Sequence, residues 1–189
     1  AHDGAAWLPE ALVALAASTV QPGVLVAVDT GSTDGSADLL RPAADHLLTL
    51  PATTGYGAAV GAALDVVPPT QWVWLLHDDA APEPDALAAL LAYAEDSPSA
   101  ALLGPKVRDW DDPRVLVEVG LTTDAAGHRE TGLDRREYDQ GQHDDVREVL
   151  AVNTAGMLVR RTVLESLGLD DDLPVRLSDH DPVDAVVTL

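Results

Sequence analysis

The chain has 189 residues, 47% of them hydrophobic, and its 32 acidic against 11 basic side chains give a formal net charge of −21. That length fits one domain with a substantial core. The charge repels nucleic-acid phosphates and excludes that class of partner, and no apolar run reaches the ~18–20 residues that a membrane span needs.

Cysteine is absent, which excludes disulfides and thiolate metal sites and suits a reducing compartment. An anionic small ligand would meet the same repulsion as a nucleic acid. If it carries phosphate, a divalent cation is expected to come with it.

In chain order, "AAWLPEALVALAAS" reads as a helix, with Leu8, Leu12 and Leu15 on one face and Pro9 in the first turn. "VLVAVD" (24–29) is a short valine-rich strand, followed by the turn-rich loop "TGSTDGS", in which Ser32, Thr33 and Asp34 are expected to cap the next helix. "HLLTL" (46–50) is a second strand and "GYGAAVGAALDVV" (55–67) a helix opened by glycine. "WVWLLH" (72–77) is a third strand. "EPDALAALLAYAE" (83–95) is a helix with Leu87, Leu90, Leu91 and Ala94 in one stripe, and "AALLGPKV" (100–107) is a fourth strand. Alternation of this kind predicts an α/β, doubly wound domain with a mostly parallel sheet. Beyond residue 107, "RVLVEVGL" and "REVLAVNTAGMLV" read as strands and "RRTVLESLG" as a short helix.

A doubly wound domain is expected to open on a strand, yet this chain opens "AHDGAAWLPE" and closes "PVDAVVTL". Joined, the two ends read as one strand-loop-helix unit. Residues 183–189 are therefore expected to form a central strand that precedes residue 1 in space, as in a circularly permuted chain.

In such a sheet, ligands bind at the carboxyl ends of the strands. Three polar clusters fall there: Ala1–Gly4, Val28–Ser36, and the end of "WLLHDDAAP". Asp29 ends a strand; its carboxylate either accepts a hydrogen bond from a nucleobase or ribose, or caps the turn after it. Gly55 and Gly57 flank Tyr56 at a helix start, where backbone can approach an anion. Asp78 and Asp79 offer hard oxygen ligands for Mg²⁺ or Mn²⁺, one binding metal while the other holds a ribose or orients the loop. His77 is either a further ligand, which would favour Mn²⁺, or a partner for Asp79. In "SDHD" (178–181), Asp179 or Asp181 is a candidate general base; a solvated linker is the plainer reading. His46, His128 and His143 share no ligand spacing and read as surface residues.

These segments together resemble the inverting family 2 glycosyltransferases of the GT-A fold. "AVDTGSTDGS" is similar to their strand and loop "V-D-x-G-S-T-D-x-S". "TTGYGAAVGAAL" is similar to their Gly-rich segment and "WLLHDDAAPEPDAL" to their D-x-D region. "VNTAGMLVRRTVLESLGLDDDL" is similar to their "G-x-M-L-x-R-R" stretch. The resemblance implies that residues 1–107 form a nucleotide-binding half and 108–181 a sugar and acceptor half. It places Ala1, His2, Asp3 and Asp29 around the nucleoside, Asp79 as the main metal ligand, and Asp179 as the base. His77 stands where the family has an acid, and "PVDAVVTL" replaces the family's aromatic and "W-R" continuation. It further implies a UDP-, GDP- or TDP-linked sugar donor, a glycan or lipid-linked acceptor, and Mn²⁺ or Mg²⁺. The location implied is the cytoplasm, or the cytoplasmic face of a membrane within a larger protein making cell-envelope glycans. A non-catalytic nucleotide-sugar-binding or scaffold domain and a nucleotidyltransferase are the alternatives; against the latter, "AHDGAAWLPE" lacks a basic residue for a triphosphate.

Overall fold

The structure, a computed structural model, describes residues 1–124, 126, 128–169 and 185–188. Helix α1 (Leu8–Ala16) has Pro9 in its first turn, where no N–H is missed, and buries Leu8, Ala11 and Leu15 along one stripe. Strand β1 (Val26–Asp29), helix α2 (Ser36–Leu40) and strand β2 (His46–Thr49) follow. The two strands pair in parallel, with Val26 opposite His46 and Asp29 opposite Thr49. Helix α3 (Tyr56–Val66) carries Gly61 in its interior. A Cβ there would lie 2.7 Å from the Leu169 carbonyl oxygen, so the glycine permits a close backbone crossing. Strand β3 (Trp72–Trp74) and strand β4 (Ala80–Pro82) lead into helix α4 (Ala86–Asp96).

The expected strand over 100–107 is broken into β5 (Leu102–Leu103) and β6 (Lys106–Asp109). Gly104 and Pro105 lie at the break, and proline has no N–H for a ladder. Strand β7 (Leu116–Glu118) and the short pair β8 (Thr122–Thr123) and β9 (Arg129–Glu130) come next. The stretch 147–159 yields only an isolated bridge at Ala151 and the start of β10 (Leu158–Arg160). Helix α5 (Arg161–Leu167) ends at Gly168 with φ 59°, a left-handed stop that suits glycine. Strand β11 (Ala185–Thr188) is the last element.

The described strands form four sheets, ordered β1-β2, β3-β10-β5, β4-β11-β6-β7 and β8-β9. The α/β expectation holds, but the sheet is not mostly parallel. Among the described strands, only β1·β2 and β11·β4 are parallel; β10 runs antiparallel to β3 and β5, and β6 antiparallel to β11 and β7. Continuous apolar runs report that both faces are covered and say nothing of direction. The return of the chain at Leu158 reverses the central sheet.

The C-terminal strand also needs correction. β11 is internal to its sheet, as a central strand should be, but it lies between β4 and β6, not along β1 in the line that leads into Ala1. Residues 183, 184 and 189 of that expected strand lie outside the described residues.

Two apolar clusters hold the layers together. Leu87, Leu90 and Ala94 of α4 pack on Leu158 with Trp72 and Trp74 beside them. Leu64, Val159 and Leu164 form the other, with Val73 and Leu75 against it. Each fully buried leucine contributes about 1.5–3 kcal/mol by leaving water. Arg160 lies 4.4 Å over the Trp72 ring and donates to the carbonyls of Ala100 and Pro98, at 2.7 and 2.8 Å. Arg161 donates to the Leu64, Val67 and Pro68 carbonyls at 3.0–3.1 Å, which closes the end of α3.

Candidate active site

The residues after β1 and β3 and those before α1 and α3 converge on one edge. The loop before α1 is pinned to the loop after β1 through side chains. The Asp3 amide donates to Ser32 Oγ at 2.9 Å, the Thr33 amide to Asp3 Oδ1 at 2.7 Å, and the Ala5 amide to Asp34 Oδ2 at 2.8 Å. Asp3 carries this in the left-handed region, at φ 52°, which aspartate tolerates better than most residues. Ser32 and Thr33 therefore brace two loops and do not cap α2. Asp34 does both, since its other oxygen accepts the Ser36 amide and hydroxyl at 3.0 and 2.6 Å. The hydrogen bond from Ser36, ahead of that from Ala5, holds the Asp34 carboxyl below the usual carboxylate range.

His2 Nδ1 donates to the Thr30 carbonyl at 2.8 Å, which places the proton on that nitrogen. The His2 amide donates to Asp78 Oδ2 at 2.9 Å. Gly4 lets Asp78 come this near: a Cβ at Gly4 would sit 2.4 Å from Asp78 Oδ2. Asp78 thus holds the first loop through the His2 amide.

Asp79 turns the other way. Its Oδ1 lies 3.9 Å from His77 Nδ1, with both side chains less than one-fifth exposed. His77 Nε2 is 2.8 Å from Thr154 Oγ1, and the Tyr56 ring meets the imidazole edge-on at 5.5 Å. Burial pushes the Tyr56 phenol up, with a hydrogen bond from Thr154 pulling the other way.

A cavity of about 1180 Å³ opens at this edge. Ala1, His2, Asp3, Gly55, His77, Asp78 and Asp79 all line it, so the structure brings most of the expected site residues together. Two are not among its lining. Asp29 is 2% exposed and accepts the Ser32 amide through Oδ1 at a long 3.4 Å, so it braces the turn. Gly57 faces Leu169, whose Cδ2 a Cβ would meet at 3.9 Å. Asp179 lies outside the described residues.

Sequence reasoning missed Tyr56 as a side chain, Thr154, Glu118 and Asn153. Glu118 is 3% exposed and accepts the Asn153 amide at 2.9 Å, and both residues line the cavity. The available signal was alternation: Glu118 follows Leu116 by two on β7, so it shares the buried face. His143, expected at the surface, is largely covered and bonds Glu137 Oε1 at 2.9 Å.

None of the described residues lining the cavity is lysine or arginine, whereas Asp3, Asp78, Asp79 and Glu118 are acids. Lys106, the one lysine, is engaged elsewhere by Asp139 and Asp144. Burial disfavours its ammonium, but the hydrogen bonds to the two carboxylates outweigh this and hold its pKa above the ordinary value. Arg108 is paired with Glu83.

The family described as glycosyltransferase-like family 2 matches residues 10–185. The chain belongs to this family. Membership in glycosyltransferase family 2 implies an α/β fold of the GT-A type, a nucleotide-sugar donor, an acceptor, and transferase chemistry in general. No curated protein matches the chain.

Enzymes of the GT-A fold commonly use a divalent metal. Among the described residues, no group of three or more His, Asp or Glu gathers as a cage. His77 and Asp79, 3.9 Å apart, are the described side chains that could hold one, with phosphate oxygens and water completing its shell.

Proposed function

We propose that this glycosyltransferase moves a sugar from a UDP-, GDP- or TDP-linked donor to a hydroxyl of a glycan or lipid-linked acceptor, with inversion at the anomeric carbon. The carrying observation is the His77–Asp79 pair on a cavity whose described lining includes no lysine or arginine. Among the described lining residues no lysine or arginine stands ready to neutralise a diphosphate, and a divalent cation would supply that charge. Asp79 would hold it, with His77 as second ligand.

When bound, the cation supplies positive charge to the diphosphate leaving group. Asp78 fixes the loop of Ala1, His2 and Asp3 against which the nucleoside lies, and Thr154 fixes the His77 ring. Asp179 takes the proton from the acceptor hydroxyl. The acceptor oxygen then bonds to the anomeric carbon from the face opposite the diphosphate, and the bond to the diphosphate breaks with its electron pair leaving on the phosphate oxygen. Residues 1–107 form the nucleotide half and 108–181 the sugar and acceptor half.

A non-catalytic nucleotide-sugar-binding domain is the second reading, favoured by the replacement of the family's "W-R" continuation by "PVDAVVTL". The proposed location is the cytoplasm or the cytoplasmic face of a membrane; among the described residues, no helix is long and apolar enough to cross one.

Titration calorimetry with UDP, GDP and TDP, with and without Mn²⁺, tests this reading. One nucleotide should bind only with metal, and Asp79→Ala should weaken it at least tenfold. Binding of none of the three with metal would refute the reading. Binding of the sugar-linked form without any turnover would leave the non-catalytic domain.

A further inference from the structure

Glu118 is a buried carboxylate that the reaction described above does not use. It ends β7, opposite Val107 of β6, and is 3% exposed. A carboxylate so placed costs stability unless it is hydrogen-bonded. Its Oε1 accepts the Asn153 amide at 2.9 Å. That bond fixes the entry to a tight turn. Asn153 Oδ1 accepts the Ala155 amide at 2.9 Å, and the Gly156 amide, at φ 118°, donates to the Thr154 and Leu75 carbonyls, both at 2.9 Å. The Trp74 indole donates to the Gly156 carbonyl at 3.1 Å. The turn is thus tied on one side to Glu118 and on the other to Trp74 and Leu75, which lead into His77. Thr154, 6% exposed, is set between these ties with Oγ1 2.8 Å from His77 Nε2.

Thr154 also bonds the Tyr56 phenol. A hydroxyl has one proton to give. Given to Tyr56, it obliges His77 Nε2 to carry the ring proton and to donate to Thr154 Oγ1. The opposite order, Tyr56 to Thr154 to Nε2, puts the ring proton on Nδ1. Asp79 Oδ1 lies 3.9 Å from Nδ1, too far to accept a hydrogen bond from an N–H there. The distances therefore favour the first order. It turns the Nδ1 lone pair to the side of Asp79, and a lone pair beside a carboxylate oxygen suits a cation that accepts from both.

We propose that Glu118 is a positioning residue: through the Asn153 amide it holds Thr154 against His77 Nε2, and so fixes the ring with its proton on Nε2 and its Nδ1 lone pair towards Asp79. The use of Nδ1 as a ligand rests on the function proposed above; the relay from Glu118 to the ring does not. A site with that nitrogen takes Mn²⁺ or Zn²⁺ in preference to Mg²⁺, which favours oxygen.

Exchange of the ring proton, followed by NMR, tests the relay without any cation. In the chain labelled with ¹⁵N-histidine, at about pH 8 where imidazole is neutral, His77 should show an Nε2–H signal slow to exchange with water and an Nδ1 without a proton. Glu118→Leu removes the acceptor and should speed that exchange at least about tenfold. The Leu75 amide, bonded to the Met157 carbonyl, should exchange as before. Glu118→Gln keeps a neutral acceptor, which bonds less strongly than a charged one, and should speed the ring proton about two- to fivefold. Thr154→Val should match Glu118→Leu. A proton on Nδ1 in the unmodified chain, or equal acceleration of the ring proton and the Leu75 amide, overturns the proposal. If Glu118→Leu does not fold, Glu118→Gln decides alone: exchange equal to that of the unmodified chain refutes the relay. Zn²⁺ with UDP should shift the Nδ1 signal and leave the Nε2 proton in place. No response to Zn²⁺ and UDP, with the tautomer and its dependence on Glu118 intact, refutes the cation reading and supports the relay.

Discussion

Replacing Gly4 by alanine tests how the first loop is held at the site. The new Cβ would lie 2.4, 2.7 and 2.9 Å from Oδ2, Cγ and Cβ of Asp78, closer than real Cβ atoms come. The Asp78 carboxylate must rotate away and the loop backbone must shift to clear its Cβ, and the His2 amide then loses its acceptor. A hydrogen bond to a charged group is worth about 1.5–3 kcal/mol when buried; this one is partly exposed, so the lower end, about 1–2 kcal/mol, applies. For a chain of this size each kcal/mol moves the midpoint by roughly 2–4 °C, so Tm should fall by about 2–8 °C in a thermal melt followed by circular dichroism. The same substitution made in an Asp78→Ala background meets no carboxylate and should cost about 1 kcal/mol less. An unchanged Tm for Gly4→Ala, or strict additivity in the double variant, would refute the account of why glycine stands there.

Leu158, 1% exposed at the contact of α4 with β10, should cost about 3–5 kcal/mol as alanine, measured by urea unfolding; a loss below about 1 kcal/mol would mean that the cluster collapses into the gap. Arg161→Met removes the donors to three carbonyls at the end of α3 and should cost about 1.5–3 kcal/mol, with faster amide exchange confined to that end. Glu137 is held at about 2, against an ordinary 4.5, by the Gln142 side chain, the Asp134 amide and His143. Its folded pKa is depressed, so the stability it lends is present above 4.5 and is lost as pH falls from 4.5 towards about 2. Glu137→Gln should therefore flatten the dependence of urea stability on pH across that window; an identical slope would discount the network.

Sequence periodicity located the helices because their stripes are long: Leu8 to Leu15 in α1 and Leu87 to Ala94 in α4 each repeat over two turns. The strand "VLVAVD" was legible from its valines and its turn-rich sequel. Strand direction was not, because Leu158 and Val159 read alike in either sense. β4 was illegible for another reason: Ala-Ala-Pro has no β propensity and pairs only because β11 lies beside it. At the site, the clustering of polar residues at strand ends located the edge, and His2, Asp3, His77, Asp78 and Asp79 met there. Their division of labour was not legible. Whether Asp29 faces the cavity or the turn depends on a side-chain torsion, and Thr154 reaches His77 across 77 positions of sequence.

The cross-braced loops of Asp3, Ser32, Thr33 and Asp34 have a kinetic consequence. A pocket edge already formed asks little ordering of itself when a nucleotide arrives, so association is governed by the approach through solvent. That approach is uphill, since a polyanion nears a chain of net charge −21. Added monovalent salt, which slows most encounters of a charged ligand with its receptor, would here quicken them by shortening the reach of the repulsion.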